Sequence, residues 1–213
     1  MIYNFNTKKC FFVPQMFLFF SCVGHIVVGC GMRNNIFFKK MLQELYIGYK
    51  SKNFKRIKAV EHKCANELVL AFDRDLFNTC LLCFMVGKLI SKKRFEKHPY
   101  LLKFDRLIND LKYHMNSDDY IGMRKIVSKM ITLIDSLDSS DKKFINKLAY
   151  NGKIKIASKL YAQGISLSRS SKVTGADEYE ILNYIGKTMM ADRIETYMPI
   201  SKRLEKLEKV FLG

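Results

Sequence analysis

Tryptophan is absent from the 213 residues, and proline occurs only three times. No stretch alternates polar and apolar residues at period two for long enough to argue a sheet, so the chain reads as all-α. No glycine-rich run has the spacing of a phosphate loop. The four histidines are His25, His62, His98 and His114, and none has a nucleophile or carboxylate at motif spacing. Acidic residues are also scarce, 20 against 37 Lys and Arg. These absences leave no catalytic constellation, no cofactor motif and no small-molecule substrate. They point to a non-enzymatic protein.

The six cysteines are Cys10, Cys22, Cys30, Cys64, Cys80 and Cys83. Their spacing is irregular and they sit mostly in apolar stretches. That suits reduced, buried thiols in a cytoplasmic protein rather than a disulfide framework. Cys80 and Cys83 have the spacing of half a zinc site, but no second Cys or His pair is near, so both read as core and no metal is expected.

What the chain has in excess is positive charge, +17 in net. The field is concentrated in the middle: 24 basic and 13 acidic residues lie between 33 and 150. Such a field attracts nucleic acid, an anionic membrane face or an acidic protein. A solvated lysine-rich surface is the plain alternative.

From Cys10 to Met32 no residue is charged. About 20 apolar residues suffice for a helix to span a bilayer. Lys8 and Lys9 precede the run, while Arg33, Lys39 and Lys40 follow it, which would leave the body in the cytoplasm. Pro14, Gln15, His25 and three glycines weaken it as a span. Two readings of residues 1–32 stand side by side. One is a membrane anchor through residues 10–32. The other is an extension upstream of a start at Met32. A buried core helix and a lipoprotein-like processing site around Val27 to Cys30 are lesser alternatives.

Residues 33–140 read as a basic helical bundle. Phe37, Phe38, Met41, Leu45 and Tyr49 form one apolar stripe. Phe54, Ile57, Val60, Cys64, Leu68 and Phe72 form a second, at steps of three and four. Leu76, Cys80, Cys83, Phe84, Val86 and Leu89 mark a more buried helix. Pro99 predicts a break, with Leu101, Phe104, Ile108 and Leu111 on the helix after it. Asn116, Ser117 and Asp118 give a cap signal for a helix carrying Ile121, Ile126, Met130 and Ile134. Asp138 to Asp141 is the expected domain boundary.

Two features of this body carry chemistry. Lys50, Lys52, Lys55, Arg56, Lys58 and Lys63 cluster at one helix start, and Lys88, Lys92, Lys93, Arg94 and Lys97 crowd another helix end. Some complement helix dipoles, and the rest suit phosphates or an anionic leaflet. Arg56 and His62, with five residues between them, are similar to the loose arginine–histidine motif of HEPN-type ribonucleases. That resemblance implies His62 as a proton carrier and Arg56 as a phosphorane stabiliser.

Residues 141–191 hold the more informative pattern, with three short helices expected between 151 and 188. Ile154, Ala157, Leu160 and Tyr161 give the first its inner face, and Gly164 stops it. Ser166 or Ser168 caps the second. Gly175 supplies the left-handed corner, and Ser171, four residues earlier, is the small residue expected where helices touch. Asp177 caps the third helix, which carries Tyr179, Ile181, Leu182 and Ile185. Residues 192–213 add an amphipathic helix with Ile200, Leu204, Leu207 and Phe211 on one face.

The string from Ala157 through Leu160, Tyr161, Gly164, Ile165, Ser166, Leu167, Ser170, Thr174 and Gly175, followed by Glu180, Ile181, Leu182, Tyr184, Ile185 and Gly186, resembles small prokaryotic antitoxin-like helix-turn-helix proteins. It covers about 40 of the 213 residues. This chain carries Ser170 and Ser171 where that family usually has paired alanines. The resemblance implies binding to DNA or to a protein partner, often a toxin or nuclease. The amphipathic helix 192–213 separately suits packing on the body or on a second copy of the chain. Lys153, Lys155, Lys159, Arg169, Lys172 and Lys187 are the expected phosphate contacts. Asp177, Glu178 and Glu180 at the start of the third helix oppose a simple groove-binding role, because carboxylates repel phosphates.

Overall fold

The computed structural model describes the backbone of residues 21–91, 99–140 and 147–189. Among the described residues there are eight helices and no strand. They are α1 (Ser21–Lys50), α2 (Phe54–Leu70), α3 (Arg74–Ile90), α4 (Pro99–Asn116), α5 (Tyr120–Ser140), α6 (Leu148–Ala162), α7 (Leu167–Thr174) and α8 (Glu178–Thr188). The amphipathic stretch 192–213, residues 10–20 of the apolar run, and the cluster Lys92, Lys93, Arg94 and Lys97 lie outside the described residues.

α3 is the centre of the body. Every residue from Thr79 to Gly87 is buried, and α1, α2, α5 and α6 all pack against it. Its sequence there, TCLLCFMVG, has no charged residue, as a helix surrounded on all sides requires. Leu82, Cys83, Met85 and Val86 are fully enclosed. A fully buried large apolar side chain is worth about 1.5–3 kcal/mol. Asp73 opens α3 by accepting from the backbone N–H of Asp75 and Leu76, at 2.8 and 3.0 Å. Asn53 opens α2 in the same way, accepting from Arg56 N–H at 3.0 Å.

α4 and α5 form a second hairpin. Pro99 is the first residue of α4, where its missing N–H costs nothing. The cap of α5 is one residue later than the expected Asn116, Ser117 and Asp118. Asp118 takes the left-handed conformation, and Asp119 accepts from Gly122 N–H at 2.9 Å. All of these residues have capping chemistry, and the backbone decides between them. Ile121 is consequently exposed, and Met123 and Val127 join Ile126, Met130 and Ile134 inside.

Two features of the helices bear on how the chain is divided. α1 runs without a break from Ser21 to Lys50, so position 32/33 lies inside a helix. Among the described residues no helix is long and apolar enough to cross a membrane. The C-terminal unit is also not detached from the body. α6 begins at Leu148, and it belongs to two cores at once. Leu148, Ile156 and Leu160 enter the main core, while Ile154 and Ala157 meet Ala176, Ile181 and Ile185 in a smaller one.

Gly152 marks the closest approach of α6 to α3. A Cβ there would lie 2.6 Å from Leu81 Cδ1 and 2.8 Å from Phe84 Cδ1. Replacing Gly152 with valine overfills this contact, and the expected cost is about 1–3 kcal/mol, read as a lower urea midpoint.

Candidate functional site

The chain turns twice between α6 and α8, and both corners are glycines with positive φ. Gly164 has φ 94° and Gly175 has φ 69°. A side chain is strained in that region, which is the reason for glycine at these positions. At the first corner Ile165 N–H reaches back to Leu160 C=O at 3.0 Å, closing the end of α6. Ser166 then caps α7 by accepting from Arg169 N–H at 3.4 Å. At the second corner Gly175 N–H donates to Ser171 C=O at 2.8 Å. Asp177 caps α8, accepting from Tyr179 and Glu180 N–H at 2.9 and 3.2 Å. The Asp177 N–H itself donates to the Tyr150 hydroxyl at 3.3 Å, which ties the start of α8 to α6. A hydrogen bond to Glu180 raises the titration of that hydroxyl.

The roles of the two serines differ from expectation. Ser170 is the fully buried small residue beneath α7. Ser171 is half-buried, and its hydroxyl donates across the turn to Ala176 C=O at 2.8 Å.

α8 buries Ile181 and Ile185 and half-buries Tyr184. Its opposite face carries Glu178, Tyr179, Leu182, Asn183, Gly186 and Lys187 in solvent. Tyr179 is 76% exposed and Leu182 45%.

The six expected phosphate contacts divide into two groups. Arg169, Lys172 and Lys187 are exposed and Lys153 is half-exposed. Lys155 and Lys159 are not available in the same way, and here the expectation is corrected. Both point into the body, where their Nζ atoms lie 2.8 and 3.0 Å from the same Oε1 of Glu61. The side chain of Glu61 is 6% exposed, against 20% for Lys155 and 14% for Lys159. Burial pushes the Glu61 carboxyl up, but the ammoniums of Lys159 and Lys155 pull further the other way and hold it below its ordinary 4.5. Burial pulls Lys155 down, and Glu61 offsets only part of that. Lys155 also stands 4.8 Å from the centroid of the Phe84 ring.

The same seam carries a further polar tie at the end of α6, where Gln163 Nε2 donates to Asn66 Oδ1 at 3.0 Å. Within the body, Cys80 Sγ–H of α3 donates to Glu61 C=O of α2 at 3.4 Å. Spacing on α6 puts Lys155 and Lys159 on one face, four residues apart. No local signal singles out Glu61, because its partners come from the far end of the chain.

Arg56 and His62 are not brought together. Six residues on a helix place them about 120° apart around α2. Arg56 Nε donates to Glu44 Oε2 at 2.8 Å, and that bond lowers the Glu44 carboxyl. Burial and the nearby Lys159 hold His62 toward its neutral form. Burial also raises the buried thiols found among the described residues, Cys64, Cys83 and Cys80, the last to about 12. Such thiols are packing groups rather than nucleophiles. Among the described residues no cluster of His, Cys, Asp and Glu could hold a metal ion. No family model, curated protein or solved structure matches the chain.

Replacing Glu61 with glutamine leaves two buried ammoniums facing a neutral amide. The expected loss is about 3 kcal/mol by urea denaturation. The folded carboxyl titrates below 4.5, so its contribution is complete above that pH and fades as the pH falls through the folded value. The wild type should therefore lose stability in acid more steeply than Glu61→Gln.

Proposed function

We propose that α6, α7 and α8 act as a helix-turn-helix unit that docks on duplex DNA, within a regulatory or adaptor protein that has no catalysis of its own. The observation that carries this reading is the one-sided burial of α8. Ile181 and Ile185 hold it, and Tyr179, Leu182, Asn183 and Lys187 are left in solvent. A helix presented in this way enters a major groove. Asn183 offers the bidentate amide that suits adenine, and Leu182 offers apolar contact to a thymine methyl. Glu178, at the N-terminal end, can accept from a cytosine amino group. The exposure of Arg169, Lys172 and Lys187, and the partial exposure of Lys153, support their use as phosphate contacts. The net positive field of the body adds a sequence-independent attraction.

A second reading has its own observation. Tyr179, Leu182 and Met189 form an exposed apolar line beside acidic Glu178. That pattern also suits a protein partner docking on α8.

Fluorescence anisotropy with the full chain and a random-sequence duplex tests the first reading. Binding should weaken linearly in log Kobs against log salt, at about 0.9 per phosphate neutralised. The double variant Arg169→Ala, Lys172→Ala should flatten that slope by about 1.8. No binding by the wild type at low salt removes the DNA reading and leaves the partner surface.

A further inference from the structure

A small cavity opens where α2, α3 and α6 meet, beside the buried ion cluster. Its volume is about 120 Å³. One ordered water needs about 10–15 Å³ of such space, so the cavity has room for a tetrahedral oxyanion. The wall contains Lys58 from α2, Lys88 from α3 and Lys155 from α6. Glu61 is the one carboxylate in that wall among the described residues. It is already shared between Lys155 and Lys159 through a single oxygen.

The charge there does not balance. The enclosed trio of Lys155, Lys159 and Glu61 carries one positive charge in excess, and the rim lysines add two. Excess charge away from water is costly unless a counter-charge is near. Lys155 and Lys88 stand 4.8 and 5.9 Å from the centroid of the same Phe84 ring, so both ammoniums are held at one side chain of the wall. Aromatic rings attract these cations but do not neutralise them. Gly87, also in the wall, is covered by the Phe54 ring, since a Cβ there would lie 3.2 Å from Phe54 Cε2.

We infer that this cavity binds a small phosphate-type oxyanion, either the free ion or the phosphate group of a monoester. Lys155 supplies the inner charge-assisted hydrogen bond, and Lys58 and Lys88 close on the anion from the rim. This site is separate from the exposed face of α8.

Thermal unfolding of the full chain with inorganic phosphate, with adenosine monophosphate, and with chloride at matched ionic strength tests it. Phosphate or the monoester should raise the Tm and chloride should not. A larger rise with inorganic phosphate identifies the free ion as ligand, and a larger rise with the monophosphate identifies the ester. Lys58 and Lys88 are exposed, so Lys58→Met with Lys88→Met should fold normally and bind about tenfold more weakly by titration calorimetry. Arg169→Ala with Lys172→Ala should keep full phosphate binding. No rise with either phosphate compound, or a rise unchanged in the Lys58→Met, Lys88→Met protein, overturns the site.

Discussion

One buried carboxylate organises the joint between the two parts of the molecule. Glu61 sits on α2, yet both of its partners are on α6. An isolated carboxylate at that depth would be strongly penalised, and two isolated lysines equally so. Each is tolerable only when α6 lies against α2 in one register. The cluster is therefore less a source of net stability than a condition on geometry. The apolar contact between α6 and α3 sets the register once, because only Gly152 fits against Leu81 and Phe84. The shared oxygen of Glu61 sets it again, because a shift of one turn moves each ammonium by about 5.4 Å.

That joint fixes the direction of α8. Ile154 and Ala157, on the second face of α6, meet Ile181 and Ile185, while Tyr150 reaches the cap of α8. The two glycine corners then set the path between them. The exposed face of α8 is thus aimed by interactions made on the far side of α6. The same arrangement explains why two of the three basic residues of α6 face the interior. Lys153 is left half-exposed, and Lys155 and Lys159 serve the interior.

Local pattern carried much of the fold into view. The stripes on α2, α3 and α4 are read from steps of three and four, and Ile57, Val60, Cys64, Leu68, Phe104, Ile108 and Leu111 are buried, whereas Phe54 and Phe72, at the two ends of the expected α2 stripe, are exposed. The corners at Gly164 and Gly175 and the caps at Ser166 and Asp177 follow from turn chemistry within a few residues. What escaped detection is non-local or ambiguous. Glu61 and Lys159 are 98 residues apart, and nothing near either one marks the pairing. α6 has apolar residues at Ile154, Ile156, Ala157 and Leu160, which wrap around the helix. Periodicity cannot tell a helix shared by two cores from one with a broad single face. The continuity of α1 through residue 32 was hidden for a related reason, since a change in composition is not a change in backbone.

The double duty of α6 constrains how this protein can be taken apart or reassembled. A cut ahead of Leu148 would strip α3 of one flank and turn Leu148, Ile156 and Leu160 toward water on the severed piece. The three C-terminal helices are consequently not an exchangeable cassette. Any recombination that moved them to another protein would have to supply a matching apolar groove and a carboxylate in the place of Glu61.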